Sequence, residues 1–257
     1  MSAARRGAVA LLLALAATTT AGCGSDDSAA GSSSRTLTVL GASSLTGSFT
    51  TLARDFEKDH PGVTVRLSFD SSATLAEQVT QGAPADVLAT ADQSTMQTVV
   101  DAKRTAGAPR VFATNHLQLV VPKDNPARIT RFADLGKPGV SYVVCVPTAP
   151  CGKLATTVLD ADGITAKPAS EEVDVKAVLS KVQLDEADAG IVYATDAEAG
   201  GAEVTAVDIP TSGRNLASYP VAALTDARQP ALAAQFVALV VSPTGQQVLR
   251  DAGFGKP

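Results

Sequence analysis

The 257-residue sequence has no tryptophan, two histidines and only 4% aromatic residues. His60 and His116 are isolated from each other in the sequence, so neither a zinc centre nor a Ser/His triad is supported. Both are interpreted as ordinary solvated or hydrogen-bonded histidines. The shortage of aromatic side chains argues against a carbohydrate platform. Acidic residues outnumber basic ones by 26 to 21, and no basic patch suggests nucleic acid. We therefore expect neither an enzyme nor a nucleic-acid-binding protein.

The most apolar stretch stands near the N-terminus and is too short to span a bilayer. In "MSAARRGAVALLLALAATTTAG" two arginines precede about ten apolar residues, a layout that predicts a secretory signal over residues 1–22. The following "TAGC" resembles the bacterial lipoprotein signal, which implies that Cys23 is lipidated and that the Ser/Gly-rich residues 23–34 form a flexible tether. We expect an exported domain, anchored to the outer face of the cell membrane, with 19 basic and 26 acidic residues and a net charge of −7.

The two remaining cysteines, Cys145 and Cys151 in "YVVCVPTAPCGKL", lie in the exported part of the chain, where thiols oxidise. Their spacing differs from the C-x-x-C of thiol oxidoreductases. A structural disulfide is therefore favoured over a redox-active pair.

From Arg35 onward, strand-like and helix-like segments alternate, beginning with "TLTVLGA" and the amphipathic "LTGSFTTLARDFEKDHPG". Such alternation predicts an α/β architecture with mainly parallel sheets flanked by helices. The Pro-bearing segment after "NHLQLVV" suits a crossover between two lobes. We assign residues 35–114 and 221–257 to lobe 1, and residues 115–220 to lobe 2.

Two pairs of serines stand where a predicted strand ends and a helix begins. Ser43 and Ser44 lie in "GASSLTGSF", and Ser71 and Ser72 lie in "FDSSATLAEQV". Serine is a preferred helix cap, but a cap needs one hydroxyl and each pair has a spare. A helix N-terminus attracts anions through unpaired N–H groups, and such junctions in α/β sheets lie where ligands bind. Capping and anion binding both remain open from this pattern.

Several segments between about Thr36 and Phe254 form a recognisable series: "TLTVLGASSLTGSF", "SFDSSATLAEQ", "GAPADVLATAD", "GIVYATDA" and "YPVAAL". Together they resemble the periplasmic molybdate-binding proteins of molybdate ABC transporters. The resemblance implies a two-lobed binding protein of the type II fold, which captures molybdate or tungstate between its lobes and delivers the ion to a membrane permease. No cofactor is expected, and we expect a monomer.

The same resemblance implies a set of residues that bind the oxyanion through its oxygens, with no direct metal ligand. Ser44 and Ser72 would donate hydroxyl and backbone hydrogen bonds from lobe 1. Cys151 and Val175 would donate backbone N–H groups from lobe 2, and Tyr193 its phenol hydroxyl. Without the resemblance, Tyr193 would be interpreted as a core residue.

Other functions remain as alternatives. A similar cage of donors would suit sulfate or phosphate, whereas an amino acid ligand would require an Arg or Asp that faces its charged groups. Asp86 and Asp92 in "ADVLATAD" are predicted to be a strand-end hydrogen-bond acceptor and a helix N-cap, because carboxylates repel an oxyanion. A surface enzyme is the least favoured alternative.

Overall fold

The computed structural model describes residues Arg35–Pro257, which belong to one compact unit. The predicted signal sequence over residues 1–22, the tether over residues 23–34 and the lipidation site Cys23 lie outside the described residues. Within the described part of the chain, no single helix is long and apolar enough to cross a membrane, and only the bent pair Pro230–Val241 and Pro243–Asp251 meets that test jointly, by length and composition.

Ten strands and eight α-helices follow each other along the described residues. The strands are β1 (Arg35–Ala42), β2 (Val63–Asp70), β3 (Val87–Ala89), β4 (Arg110–Asn115), β5 (Leu117–Pro122), β6 (Tyr142–Cys145), β7 (Ser170–Glu172), β8 (Ala189–Tyr193), β9 (Val204–Val207) and β10 (Ala217–Ala223). The helices are α1 (Thr46–Asp59), α2 (Ser72–Thr80), α3 (Gln93–Asp101), α4 (Pro150–Ala161), α5 (Val175–Gln183), α6 (Ala194–Gly200), α7 (Pro230–Val241) and α8 (Pro243–Asp251). Short 3-10 turns add Ser43–Leu45, Phe132–Gly136, Gly201–Glu203 and Ser212–Arg214.

The strands form two five-stranded sheets, which define the two lobes. Lobe 1 contains the sheet ordered β2-β1-β3-β10-β4 with helices α1–α3, α7 and α8. Lobe 2 contains the sheet ordered β7-β6-β8-β5-β9 with helices α4–α6. Both sheets are mixed, but four of the five strands in each run in the same direction, in agreement with the expected mainly parallel sheets. The single reversed strand is β10, antiparallel to β3 and β4, in the first sheet and β5, antiparallel to β8 and β9, in the second. The strands β5 and β10 are those that enter a lobe from the other one.

The chain passes between the lobes twice. The first crossover lies at His116, between β4 and β5, where Asn115 Nδ2 donates to Thr195 Oγ1 across 2.9 Å. The return crossover lies before Ala217, four residues ahead of the expected boundary at residue 221. Residues 217–220 belong with lobe 1 because they already pair with β4, with Ala217 opposite Asn115.

Helix α1 shows how the apolar pattern produces the lobe 1 core. Phe49, Leu52, Ala53 and Phe56 recur at helical spacing, and all four are buried against the first sheet. The helix ends before the predicted stop, where Gly62 takes a φ of +82° that favours glycine. This packing places the N-terminus of α1 at the carboxyl end of β1.

Candidate functional site

A small cavity lies between the lobes where several helices begin. Its lining is shared by seven residues of lobe 1 and five of lobe 2: Ala42, Ser43, Ser44, Asp70, Ser71, Ser72, Ala91, Pro150, Cys151, Asp174, Val175 and Tyr193. The empty space, part of which is open to solvent, is about 200 Å³. The structure thus brings Ser44, Ser72, Cys151, Val175 and Tyr193 together around one small cavity.

The serine pairs do not cap their helices. The 3-10 turn Ser43–Leu45, helix α1 and helix α2 all begin without a side-chain capping bond. Elsewhere the chain does use caps, because Asp92 accepts from Thr95 N across 2.7 Å and Ser242 accepts from Gly245 N across 3.1 Å. The capping alternative for the two serine junctions is therefore wrong, and none of their hydroxyls is used to cap a helix.

Each serine hydroxyl in lobe 1 has its own environment. Ser44 Oγ shares a hydrogen bond of 3.0 Å with Tyr219 Oη. Ser72 Oγ accepts from the backbone N–H of Ala91 across 2.9 Å, which leaves the proton of Ser72 free to donate. Ser71 Oγ is buried and has no hydrogen-bond partner among the described residues.

Two helices of lobe 2 direct their N-termini at the cavity. Cys151 and Val175 lie in the first turns of α4 and α5, where backbone N–H groups have no acceptor within the helix. Asp174 Oδ1 caps α5 by accepting from Lys176 N and Ala177 N, across 2.7 and 3.1 Å. The N-terminal ends of these helix dipoles favour a negative charge in the cavity.

The start of α4 is held against the end of β6. A disulfide joins Cys145 and Cys151, which confirms the predicted pairing. A Cβ atom on Gly152 would lie 2.0 Å from the carbonyl oxygen of Val146, so only glycine fits this approach of two backbones. The covalent link and the close packing together fix where the Cys151 amide lies.

Tyr193 ends strand β8 and is only 1% exposed. Its Oη is buried without a hydrogen-bond partner among the described residues, so a hydrogen bond is missing where the cavity begins. Burial, reinforced by the nearby Tyr219 and by Asp92 and Asp196, raises the pKa of Tyr193 well above its ordinary value. The phenol therefore stays protonated and remains a neutral donor.

The charged groups near the cavity are of two kinds: Lys176 and Asp196 form an ion pair, whereas the lining residues Asp70 and Asp174 accept hydrogen bonds from backbone N–H groups. Lys176 Nζ lies 2.8 Å from Oδ1 of the fully buried Asp196, and the pair balances its own charge. Burial raises the pKa of Asp196, against the opposing effect of Lys176. Asp70 Oδ1 accepts from Ser71 N across 2.6 Å. No group of His, Cys, Asp and Glu suited to a metal ion occurs among residues 35–257.

The residues set aside as structural have structural partners. Asp86 accepts from the backbone N–H groups of Thr38 and Gln229 across 2.7 and 2.9 Å, and Asp92 caps α3, so both predictions are confirmed. His60 stacks on Phe56 with ring centroids 4.0 Å apart. The backbone of His116 forms the first crossover, where its carbonyl accepts from Ala194 N.

Sequence reasoning missed several residues that line the cavity. Asp70, Ala91, Pro150 and Asp174 were not predicted there. Pro150 and Asp174 are residue types that favour a helix N-terminus, so they indicate where α4 and α5 begin. They do not indicate that these two N-termini meet at one cavity. Ser71 was noticed only as the spare hydroxyl of its pair.

A family model for bacterial extracellular solute-binding proteins matches residues 37–255 of this chain. The molybdate-binding protein ModA of Mycobacterium tuberculosis (strain ATCC 25618 / H37Rv) is 44% identical over 224 residues, which cover 87% of this chain and 86% of that protein. ModA of Escherichia coli (strain K12) is 33% identical over 229 residues, which cover 85% and 88%.

Among solved structures, the periplasmic molybdate-binding protein of Azotobacter vinelandii is similar with a TM-score of 0.77 and 22% identity. The match covers 86% of this chain and 99% of that one. This likeness supports the fold and confirms the predicted two-lobed α/β architecture.

Proposed function

The chain belongs to the bacterial extracellular solute-binding proteins and, within them, to the molybdate-binding proteins, and from this premise we propose that its cavity holds molybdate between the two lobes. The observation that carries the proposal is the convergence of buried hydroxyls and helix N-termini on one cavity of about 200 Å³. Tungstate, which has the same charge and nearly the same size, is proposed as a second ligand.

We assign the donors as follows. Ser44 and Ser72 donate hydroxyl and backbone protons from lobe 1, while Cys151 and Val175 donate backbone N–H groups and Tyr193 its phenol from lobe 2. A hydrogen bond to a charged group contributes about 1.5–3 kcal/mol, so several convergent donors are needed to offset the burial of a dianion. The ligand makes no direct bond between metal and protein in this arrangement.

The proposed mechanism is closure without covalent chemistry. An ion that binds donors from both lobes stabilises the closed arrangement by its differential affinity for that state. A permease of an ABC transporter would then recognise the closed protein and receive the ion. Anchoring through a lipidated Cys23 would keep the domain, as a monomer, next to that permease.

Titration calorimetry with molybdate, tungstate, sulfate and phosphate tests the ligand class. We expect tight binding of molybdate and tungstate and weak binding of sulfate and phosphate, because the cage fits the larger tetrahedron. Equal affinity for sulfate would favour the alternative of a general tetrahedral oxyanion carrier. Absence of molybdate binding would overturn the proposal.

A pair of serine variants tests the site. Ser44→Ala combined with Ser72→Ala should abolish molybdate binding, while the loss of the Ser72 bond to Ala91 N and of the Ser44 bond to Tyr219 Oη lowers stability by about 1–3 kcal/mol each. Ser242→Ala is the matched control, since it removes a real helix cap at a residue that does not line the cavity and should lower stability by about 1 kcal/mol with affinity unchanged. Binding that survives the double substitution would refute the assignment.

A further inference from the structure

The hydroxyl of Ser44 is held by a second hydroxyl from outside the cavity lining. Tyr219 Oη lies 3.0 Å from Ser44 Oγ, and either atom can be the donor. We propose that Tyr219 is a positioning residue, which donates its phenol proton to Ser44 and so turns the proton of Ser44 toward an oxyanion in the cavity. The inference rests on the proposed function, because an anion is the final acceptor of this chain.

The direction of donation follows from the chemistry of the two groups. A serine hydroxyl has one proton and rotates freely, so it donates either to Tyr219 or into the cavity. A phenol is the more acidic of the two hydroxyls, which makes it the better donor and the poorer acceptor. Burial raises the pKa of Tyr219, so its proton is retained throughout the physiological range. Donation from Tyr219 to Ser44 is therefore favoured.

The position of the Tyr219 hydroxyl is restricted by packing. The side chain is 0% exposed, and its ring contacts Phe112, Tyr193 and Phe254 with centroids 6.2, 5.9 and 5.3 Å apart. Its strand, β10, is paired on both sides by β3 and β4. Because the ring is enclosed, the Tyr219 oxygen is held within hydrogen-bonding distance of Ser44 Oγ.

An anion strengthens such a relay. Each hydrogen bond in a chain polarises the next, and a bond that ends on a charge is stronger than a neutral one. The chain runs from Tyr219 through Ser44 to the ligand. Tyr219 should consequently affect affinity without touching the ion, and only as long as the Ser44 hydroxyl is present.

The first test is Tyr219→Phe in the exported chain, with binding of sodium molybdate measured by calorimetry. We expect a rise in Kd of about tenfold, with the melting temperature of the ligand-free protein lowered by only a few degrees, because one hydrogen bond is lost while the ring packing is kept. Tyr142→Phe is the matched control, since the Tyr142 phenol donates to the carbonyl of Ala166 in lobe 2. Its Kd should stay at the wild-type value.

The second test repeats Tyr219→Phe in a Ser44→Ala background. Where affinity is too low for calorimetry, binding is measured as the rise in melting temperature that excess molybdate causes. A positioning role predicts no further loss, because the relay is already broken. An equal loss in both backgrounds would show that Tyr219 acts through general packing, which overturns the inference. A crystal structure of Tyr219→Phe with molybdate should show the Ser44 hydroxyl turned away from the ion.

The outcomes separate this inference from the function beneath it. If the wild-type chain fails to bind molybdate, the proposed function is rejected, and the role of Tyr219 with it. If the wild type binds molybdate and Tyr219→Phe binds it equally well, only the role of Tyr219 is rejected.

Discussion

Tyr193 has a buried hydroxyl that the protein leaves without a partner among the described residues. An unpartnered buried donor destabilises a folded protein by about 1–3 kcal/mol. Such a group persists where a ligand completes its hydrogen bonding. Ser71 shows the same condition at the same cavity, on the opposite lobe. The two residues therefore indicate a cavity adapted to an acceptor and not to a tightly closed core.

Substitution of Tyr193 by Phe should separate binding from stability. We expect molybdate affinity to fall by about tenfold, because a donor is lost, while the ligand-free protein keeps or gains stability. Calorimetry and urea unfolding of the ligand-free protein measure the two effects. The Tyr142→Phe control should behave in the opposite way, since it breaks a hydrogen bond that is present. A Tyr193→Phe protein that is less stable and binds normally would contradict this role.

At the scale of single elements, the position of a helix N-terminus matters as much as any side chain. Helix α4 brings the Cys151 amide to the cavity because its first turn lies directly on the end of β6. The disulfide links the same two segments, and closing so short a loop stabilises the fold by about 2 kcal/mol in the chain-entropy model. Gly152 makes the contact possible, since its missing Cβ would lie 2.6 Å from the carbonyl oxygen of Cys145.

Gly152→Ala should move the first turn of α4 away from β6. We expect a loss of about 1–3 kcal/mol in the free energy of unfolding from overpacking, together with weaker molybdate binding because the Cys151 amide shifts. Gly47→Ala is the control, because a Cβ there meets nothing within 4 Å. In helix α1 that change should be neutral or stabilising by up to about 1 kcal/mol. Urea unfolding and calorimetry measure the two effects in both variants. Equal stability and equal molybdate affinity in Gly152→Ala and Gly47→Ala would contradict this role of Gly152.

At the scale of the whole molecule, the lobes are connected by an ion pair beside the cavity. Lys153 Nζ of lobe 2 lies 3.0 Å from Asp92 Oδ2 and 3.0 Å from Ser94 Oγ of lobe 1. Burial alone would raise the pKa of Asp92, but the hydrogen bonds from Thr95 and the interaction with Lys153 lower it below its usual value. The ionised form is thus favoured in the closed protein.

Lys153→Met should weaken molybdate binding only modestly. Partly exposed ion pairs contribute about 0.2–1 kcal/mol, so we expect a rise in Kd of at most about fivefold. The change should be seen as faster dissociation in stopped-flow measurements. Added salt should reduce the difference between the variant and the wild type, because it screens the ion pair. Since the pKa of Asp92 is lowered, the contribution of the ion pair is fully present at pH values above the ordinary pKa of an aspartate. It disappears as the pH falls through the lowered pKa of Asp92.

Lys181→Met provides the comparison, because Lys181 pairs with Glu172 across 2.8 Å within lobe 2. It should leave the dissociation rate unchanged. The same acceleration in both variants would mean that the net charge, and not the contact between lobes, controls release.

The features that the sequence by itself determined are those that depend on near neighbours. The apolar spacing of α1, the cap at Asp92, the pairing of Cys145 with Cys151 and the serine junctions could all be predicted, because residues a few positions apart decide them. Cys151 and Val175 came only from the family resemblance, since a backbone donor leaves no mark on residue type.

Tertiary structure alone decided which groups meet. The contact of Ser44 with Tyr219 joins residues 175 positions apart. The antiparallel strand β10, which begins at Ala217, joins the far end of the chain to the first sheet. No local pattern contains such contacts, because they depend on how sheets and helices pack. Packing also decides which hydroxyls stay unpartnered, and with them where an anion can be held.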